Sequence, residues 1–548
     1  MKLHNDNKDC EQRKIYPHFT SKALSGDSRR RVALLINPPV YDTQYWAEWS
    51  QPYGLLRIAS WLNKLGYKKL WLFDFMETGE DRKVGFRRIN TDEDYSILNE
   101  PDKRIEPIRV EKGGDRIELY KFHFGKSWDE FEQWLKVRGL MKHPPHDIFI
   151  SSTMTYWWES SRDLVKRCRR YFGKKSHVAM GGIYPTLCPD HCAEYVRPDS
   201  IVAGEVEEAN NLWTDLSLYK TKPQYAIITP SRGCPFDCSY CAQKTINGGQ
   251  QRVRFRPPED IVDEIHDKRD RYGIREFAFY ADFLLYGFRD YLMKVLEALA
   301  KDKTKYHLYA PEGLDTKFLC QDERLLPLMK EAGFEKIYLP VESIDDTHLE
   351  MMNRRHVRLE HFVRSVQLCE KAGFRLRNLE VNSFVLYGLP GEKIDSVVKT
   401  VMFVSEILGS IVPMLFTPVP TTEMYKQDRD YLIQVMGGNE CDLHKINGKL
   451  YPFLAMNEGS VKDYVDLQRL MFMLNAHYRS KSFQMFGDTR VSQAFLYNLR
   501  NGFEGFVKSV RDNDSVVPRR NELRSALEKA DSVSLIPLET LSRSLAEN

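Results

Sequence analysis

The sequence predicts an α/β protein with two successive parallel sheets and a mostly helical C-terminal region. Three observations predict this fold class. Short apolar, β-prone runs alternate with segments of helical period over residues 31–215, and they do so again over residues 225–420. Strands that alternate with helices form βαβ units, so their sheets are parallel. A cysteine-rich loop, Cys234–Cys241, directly follows the first strand of the second series.

We divide the 548 residues into four parts. The expected parts are a flexible tail (1–30), a Rossmann-like domain (31–215), a partial barrel (216–424) and a mostly helical domain (425–548). The chain has 80 basic and 77 acidic residues, and this near balance argues against a nucleic-acid-binding surface. The polar first residues lack the apolar core of a signal peptide, and no stretch is typical of a membrane span, so we expect a cytoplasmic protein.

The first series of strands predicts a doubly wound sheet. A strand, a helix and a strand follow one another over residues 32–74, and the pattern resumes at residue 147. The expected strands are 32–36, 70–74, 147–151, 177–180 and 199–202, and the expected helices are 53–65, 158–172 and one beginning near Val206. The charged segment 76–145 is expected to be a surface insertion with one helix, at 127–138. Ligands of such sheets bind beyond the carboxyl ends of the strands.

The second series predicts an open barrel of six βα units. Its strands are expected near 225–230, 275–281, 305–310, 335–341, 379–387 and 412–417, and two of its helices at 359–373 and 393–409. Active sites of βα barrels lie at the carboxyl ends of the strands. The cysteine loop occupies that position after the first strand.

Cys234, Cys238 and Cys241 have the spacing C-x3-C-x2-C. Three thiolates on one loop can hold three irons of a [4Fe–4S] cluster, which leaves the fourth iron open to a small molecule. A zinc site needs a fourth ligand, and none lies nearby in the sequence. A disulfide needs an oxidising compartment, which nothing here indicates. The remaining alternative is three cysteines that are close by chance.

This loop resembles the cluster loop of radical S-adenosylmethionine (SAM) enzymes. The resemblance implies that the open iron binds the amino and carboxylate groups of SAM. It also implies that an electron from an external flavodoxin or ferredoxin cleaves SAM to methionine and a 5′-deoxyadenosyl radical. In that family the aromatic residue before the third cysteine, here Tyr240, packs near the adenine.

Five later segments resemble motifs of the same family, in the same order. They are Phe277–Asp282, Pro311–Gly313, Ile337–Ser343 with Met352–Arg354, Asn382–Glu392 and Thr417–Glu423, the last with Thr421 where the family has glycine. The SAM contacts that the resemblance implies are Phe236, Tyr240, Asp282, Glu312, Glu342, Ser343 and Asn382.

Residues 32–215 resemble the cobalamin-binding domain that precedes many radical SAM domains. The implied cobalamin contacts are Asn37, Ser152, Thr153, Gly181, Gly182, Tyr184, Gly204 and Glu205, with Gly182 facing the corrin. The motif Asp-x-His-x-x-Gly, whose histidine ligates cobalt, is absent, since His191 directly follows Asp190. We therefore expect base-off cobalamin without a lower histidine. The alternatives are a nucleotide or flavin, although no G-x-G-x-x-G follows the first strand, or a domain that has lost its cobalamin.

The two resemblances together imply methylation of an unactivated carbon of a small molecule or natural product, through the 5′-deoxyadenosyl radical and methylcobalamin. A rearrangement, cyclisation or ring contraction with the same cofactors is the alternative. Further alternatives are a radical SAM enzyme with an empty first domain, and a non-catalytic iron–sulfur or corrinoid-binding protein. We assign no catalytic side chain, because methylation at an sp3 carbon needs no general base, and we expect a monomer. The aromatic loop Tyr41–Trp49 is either a pocket wall or an ordinary packed loop.

Overall fold

The structure is a computed structural model that describes residues 14–16, 27–45, 49–77, 104–376, 380–461 and some positions from 463 to 475. The expected helical domain that begins at residue 425 lies only partly within this range. Its described part forms two helices, Glu423–Gln427 and Arg429–Val435, and three 3-10 turns, Leu443–Ile446, Gly448–Leu450 and Leu454–Met456.

The first sheet has six parallel strands, in the order β1-β9-β8-β7-β2-β4. They are β1 (Lys14–Tyr16), β2 (Val32–Asn37), β4 (Lys69–Asp74), β7 (Asp147–Ser151), β8 (His177–Gly181) and β9 (Ser200–Val202). Five of these strands were predicted. The sixth, β1, comes from the expected tail and pairs in parallel with β9, which covers the edge of that strand.

Three helices of the first domain lie where the helical period predicts them, at Tyr53–Lys64, Trp128–Val137 and Trp158–Phe172. Three short helices after β8 were not predicted; they are Ile183–Leu187, Pro189–His191 and the π-helix Cys192–Val196. The helix expected near Val206 is wrong, since only a 3-10 turn, Glu207–Ala209, forms there. Two asparagines, Asn210 and Asn211, follow that turn, and asparagine disfavours helix continuation because its side chain competes for backbone hydrogen bonds. Within the described part of the chain, no helix is long and apolar enough to cross a membrane.

The two strands of the insertion join a short strand from the loop after β2 in a three-stranded antiparallel sheet, in the order β3-β6-β5. Its strands are β3 (Val40–Asp42), β5 (Arg104–Lys112) and β6 (Asp115–Phe124). Gly113 and Gly114 both have positive φ, which makes the tight turn between the long strands possible. At that turn the Lys112 Nζ donates to the Gly459 carbonyl at 2.6 Å. The insertion is therefore a ribbon that reaches the C-terminal region.

The second sheet has six parallel strands in chain order, which confirms the six predicted strands. They are β10 (Tyr225–Ile228), β13 (Glu276–Phe279), β14 (His307–Tyr309), β15 (Phe334–Glu342), β16 (Val381–Tyr387) and β17 (Ile411–Leu415). The outer helices include Pro258–Tyr272, Leu292–Lys301, Leu325–Ala332, Leu359–Lys371 and Ile394–Leu408. No pairing joins β10 to β17, so the sheet is an open barrel.

Side-chain amides pair with the backbone at both open edges of this barrel. At β10, Gln51 Nε2 donates to the Tyr225 carbonyl at 2.7 Å. At β17, Asn475 accepts from the Ile411 amide and donates to its carbonyl, both at 2.7 Å. These contacts satisfy edge backbone groups that an open sheet leaves unpaired.

The aromatic loop of the first domain also packs on the second sheet. The ring of Trp49 lies 5.0 Å from that of Tyr225 on β10 and 4.9 Å from that of Tyr309 on β14. The helix that follows this loop buries Leu55, Leu56, Ala59 and Leu62 in the same apolar core as the second sheet. The first domain thus covers the β10 side of the open barrel.

Candidate active site

The cysteine loop leaves the carboxyl end of β10 through Gly233. Gly233 has φ +102°, and a Cβ at this position would lie 2.3 Å from the Arg252 carbonyl oxygen. Only glycine fits such a backbone conformation at so close an approach. The Gly233 amide donates to the Asp282 Oδ2 at 2.6 Å. The position directly before the first cysteine is therefore held from two sides.

Cys234, Cys238 and Cys241 form no disulfide, and Cys241 is exposed. Burial raises the pKa of Cys234 to about 12, and it also raises the pKa of Cys238. The thiols are therefore protonated without metal, and metal binding releases their protons. No three acidic, histidine or cysteine side chains among the described residues converge as ligands of one ion. A [4Fe–4S] cluster does not need side chains that converge on one ion, because each thiolate binds a different iron.

The segment after β15 anchors the middle of the cysteine loop. Asn353 Nδ2 donates to the Asp237 carbonyl at 2.7 Å, and the Ser239 hydroxyl donates to the Met351 carbonyl at 2.7 Å. The Met424 amide donates to the Ser239 carbonyl at 2.9 Å. The segments that follow the fourth and sixth strands thus contact the cysteine loop directly. This contact explains why the cysteine loop and the two later motifs occur together in the sequence.

Arg354 links the cysteine loop to the end of β15. Its Nη1 donates to the Tyr240 hydroxyl at 2.7 Å and lies 3.7 Å from the Glu342 carboxylate. Glu342 is buried at φ +59°, and burial raises its pKa although Arg354 opposes the shift. Strained backbone of this kind concentrates at functional sites. Sequence reasoning quoted Arg354 within a motif but did not assign it to the site.

Phe236 lies in an aromatic cluster at the same loop. Its ring stacks on that of His356 at 3.8 Å and packs edge-on against Phe283 at 5.2 Å. Burial, together with the positive charge of Arg354, lowers the pKa of His356 to about 4, so the imidazole is neutral at pH 7. One face of Phe236 is therefore already covered by the chain itself.

Asp282 and Glu312 differ in what surrounds them. Asp282 is nearly buried and accepts from the Gly233 amide and from Asn247 Nδ2. Glu312 is exposed. Desolvation by nearby protein, together with the charge of Asp282, raises the pKa of Glu312. Asp282 thus contributes to holding the loop, whereas Glu312 is open to solvent.

Ser343 and Asn382 are placed less favourably for the predicted SAM contact. The Ser343 hydroxyl accepts from the Asp345 amide at 3.0 Å and belongs to a buried turn. Asn382 is the second residue of β16, and its Oδ1 accepts from the Ser410 hydroxyl at 2.6 Å. Because β16 runs to Tyr387, Asn382 lies about 16 Å from the carboxyl end of the strand. This placement disfavours a direct contact of Asn382 with SAM at the cysteine loop, and the contact stays a prediction.

The expected cobalamin residues Asn37, Ser152 and Gly181 lie along the carboxyl edge of the first sheet. Asn37 Nδ2 donates to the buried Asp74 at 2.7 Å, and the Ser152 amide donates to the Gly181 carbonyl at 3.0 Å. Thr153, in the loop after β7, is exposed. The strand order places the loops after β2, β7 and β8 beside one another.

Gly182 packs closely against the loop after β7. It has φ +103°, and a Cβ there would lie 2.4 Å from the Ser152 carbonyl oxygen and 3.0 Å from the Ser151 hydroxyl. The glycine is needed because the loops after β7 and β8 touch. Gly182 therefore packs these two loops together, and its expected role in facing the corrin stays a prediction.

Tyr184 and His191 form a buried pair behind the loop after β8. The Tyr184 hydroxyl lies 2.7 Å from the His191 Nδ1, and the Cys441 carbonyl lies 3.1 Å from the Nε2. Tyr184 has no exposed surface, so it supports the loop from inside. Both ring nitrogens of His191 are engaged within the protein.

Glu205, the last expected cobalamin contact, binds two arginines of the second domain. Its carboxylate accepts from Arg254 at 2.6 and 3.0 Å and from Arg232 at 3.3 Å. The preceding Gly204 has φ +132°, and its amide donates to the Thr186 hydroxyl at 3.0 Å. The carboxyl edge of the first sheet is thereby bound to the strand that leads into the cysteine loop.

Thr421, where the resembling motif has glycine, also has positive φ, at +79°. A β-branched residue rarely adopts this conformation, which explains the glycine of the family. The Thr421 hydroxyl lies 3.1 Å from that of Thr245, in the short helix after Cys241. The departure from the family's motif therefore concerns a turn.

Comparison with known proteins agrees with this geometry. Residues 228–404 match the radical SAM superfamily. The chain is 23% identical over 337 residues to a bacteriochlorophyllide d C-12(1)-methyltransferase of Chlorobaculum tepidum, across 54% of this chain and 68% of that protein. It is 24% identical over 303 residues to an anaerobic magnesium-protoporphyrin IX monomethyl ester cyclase of Rubrivivax gelatinosus, across 54% of this chain and 50% of that protein.

A solved structure has the same architecture. It is that of the radical SAM methyltransferase TsrM of Kitasatospora setae with cobalamin and a [4Fe–4S] cluster bound. The TM-score is 0.55 at 14% sequence identity, over 83% of this chain and 98% of that one.

A parallel sheet with ligand loops, followed by an open βα barrel with a three-cysteine loop, defines a two-domain cofactor protein. The chain carries a radical SAM domain, and its fold is that of cobalamin-dependent radical SAM enzymes.

Proposed function

We propose that this protein is a cobalamin-dependent radical SAM enzyme that methylates an unactivated carbon of a small molecule. The observation that carries the proposal is the contact between the two ligand-binding edges. Glu205, at the edge of the first sheet, binds Arg232, two residues before Cys234. Loops suited to a corrin and a loop suited to an iron–sulfur cluster therefore lie next to each other.

The residues present fit the two groups. Cys234, Cys238 and Cys241 would hold the [4Fe–4S] cluster, and the loops after β2, β7 and β8 would surround the corrin. With both His191 nitrogens engaged, cobalamin would bind without a lower histidine. When bound with SAM, these groups supply radical formation and methyl transfer.

The chain's own residues position the cofactors and exclude water. Arg354 fixes Tyr240, beside which the adenine would lie, and the stacked pair Phe236 and His356 closes one side of the loop. The first domain covers the open β10 edge, which keeps water from a radical site. Glu312, three residues after β14, is an exposed carboxyl group at the carboxyl end of the barrel strands.

A second candidate is cyclisation with the same cofactors. It is favoured by the similarity to the magnesium-protoporphyrin cyclase, which covers as much of this chain as the similarity to the methyltransferase does. Both matches leave part of each relative outside the alignment, so neither relative's substrate transfers directly. The proposal further includes an external flavodoxin or ferredoxin as electron donor, a monomer, and a cytoplasmic location that keeps the thiols reduced.

The test is cofactor content and product analysis of protein purified without oxygen and supplied with cobalamin. We expect near one cobalamin and one [4Fe–4S] cluster per chain, and, with a substrate, S-adenosylhomocysteine together with 5′-deoxyadenosine. 5′-Deoxyadenosine alone would favour cyclisation or rearrangement. Cys234→Ala should abolish reductive SAM cleavage, whereas Cys441→Ala, outside the loop, should not. A chain that binds no cobalamin while its cluster is intact would contradict the proposal.

A further inference from the structure

A continuous polar network crosses from the first sheet to the cysteine loop. It begins at Glu205, whose carboxylate accepts from Arg254 at 2.6 and 3.0 Å and from Arg232 at 3.3 Å. Arg232 Nη1 lies 3.8 Å from the Asp282 carboxylate. Asp282 in turn accepts from the Gly233 amide at 2.6 Å.

A second branch joins the same end points. Arg254 Nη2 also donates to the Asn247 Oδ1 at 3.1 Å, and the Asn247 Nδ2 donates to the Asp282 Oδ2 at 3.2 Å. Asp282 and Asn247 are both buried, which favours their hydrogen bonds over exchange with water. Two routes therefore connect Glu205 with the backbone next to Cys234.

The two arginines need a shared carboxylate. Arg232 on β11 (Ser231–Arg232) and Arg254 on β12 (Arg254–Phe255) are directly opposite in an antiparallel pair. Like charges in this position repel one another. Glu205 lies between them and is the only described carboxylate paired with both arginines.

Resting on the proposed function, we propose that Glu205 is a positioning residue for the iron–sulfur site. By neutralising Arg232 and Arg254, it keeps β11 and β12 paired, and this pairing fixes where the chain enters the cysteine loop. Docking of the first domain and the geometry of the cluster loop are then coupled. The carboxylates expected to contact cobalamin (Glu205) and SAM (Asp282) act together as a support between the two sites.

The test compares Glu205→Gln, which keeps the shape and removes the charge, with Glu207→Gln, an exposed glutamate on the following turn. Each protein is reconstituted without oxygen. The readouts are iron retained against a chelator, the electron paramagnetic resonance spectrum of the reduced cluster, and cobalamin bound per chain. We expect Glu205→Gln to retain iron roughly 10-fold less well, as is usual when a supporting contact of a metal site is lost. Its spectrum should broaden, while cobalamin binding stays unchanged.

Two further variants keep the test decisive if Glu205→Gln folds poorly. Arg254→Gln, at a partly exposed side chain, should weaken iron retention in the same direction. The double variant Glu205→Arg/Arg254→Glu again places one carboxylate between two guanidinium groups and should restore the spectrum.

Glu205→Gln protein with normal iron retention and a normal cluster spectrum would overturn the inference. If that protein also lost its cobalamin, the result would assign Glu205 to the corrin alone. A wild-type protein that assembles no cluster would instead contradict the proposed function.

Discussion

Glu392, in the turn after β16, is fully buried and should make stability depend on pH. Its Oε2 accepts from the Gly388 amide at 2.7 Å, and its own amide donates to the Asn457 Oδ1 at 3.1 Å. The Oε1 has no hydrogen-bond partner among the described residues. Burial raises the pKa of Glu392 to about 8, although the hydrogen bond from the Gly388 amide opposes the shift.

The proton bound by Glu392 determines whether the free energy of unfolding rises or falls with pH. Between the ordinary pKa of 4.5 and the folded value of about 8, the folded protein holds a proton that the unfolded chain has released. The free energy of unfolding therefore falls as pH rises through this window. Each pKa unit corresponds to about 1.4 kcal/mol, so the loss is at most about 5 kcal/mol for the whole interval.

Glu392→Gln removes the titration and keeps the shape of the side chain. We expect the variant and the wild type to be similarly stable near pH 5, and the variant to be the more stable above pH 8. Denaturant unfolding, followed by far-ultraviolet circular dichroism across this range, measures the difference. Glu370→Gln, on the exposed surface of a helix, should leave the wild-type profile unchanged. Parallel profiles for the wild type and Glu392→Gln would refute the reasoning.

Two further predictions concern the loops of the site. Gly182→Ala should destabilise the protein by about 3 kcal/mol, because its φ is +103° and the new Cβ meets Ser152, whereas Gly139→Ala, with open space and φ +69°, should cost about 1 kcal/mol. Equal shifts of the thermal midpoint in these two variants would argue against the contact. Arg354→Met should cost about 3 kcal/mol in denaturant unfolding, because Glu342 is left buried without its cation. A loss no larger than that of an exposed arginine would contradict this role.

Periodicity in the sequence predicted the strands and helices because burial imposes it. Every predicted strand appears within a few residues of its expected bounds, and the helix 158–172 is found at those residues. Local properties of the sequence explain the strands that were not predicted. The strand Lys14–Tyr16 is too short to show a period, and the ribbon 104–124 is charged because it lies partly on the surface.

Whether the sequence could identify a site residue depended on how far apart in the chain its contacts lie. The cysteines were found because cluster ligands must lie on one loop at short spacing. Arg354, Arg254 and Asn247 were missed, since what each contacts is far away in the sequence. Asn382 was assigned from a motif that contains both ends of a strand, and only the direction of β16 shows that it lies near the amino end of that strand.

The sequence by itself determined the two parallel sheets and the three-cysteine loop, because both depend on residues close together in the chain. Only the tertiary structure decided the role of Glu205, which the motif assigns to cobalamin and the fold places between Arg232 and Arg254. The physical reason is that an ion pair depends on distance in space. Two domains that are separate in the sequence bring these charges together when they dock.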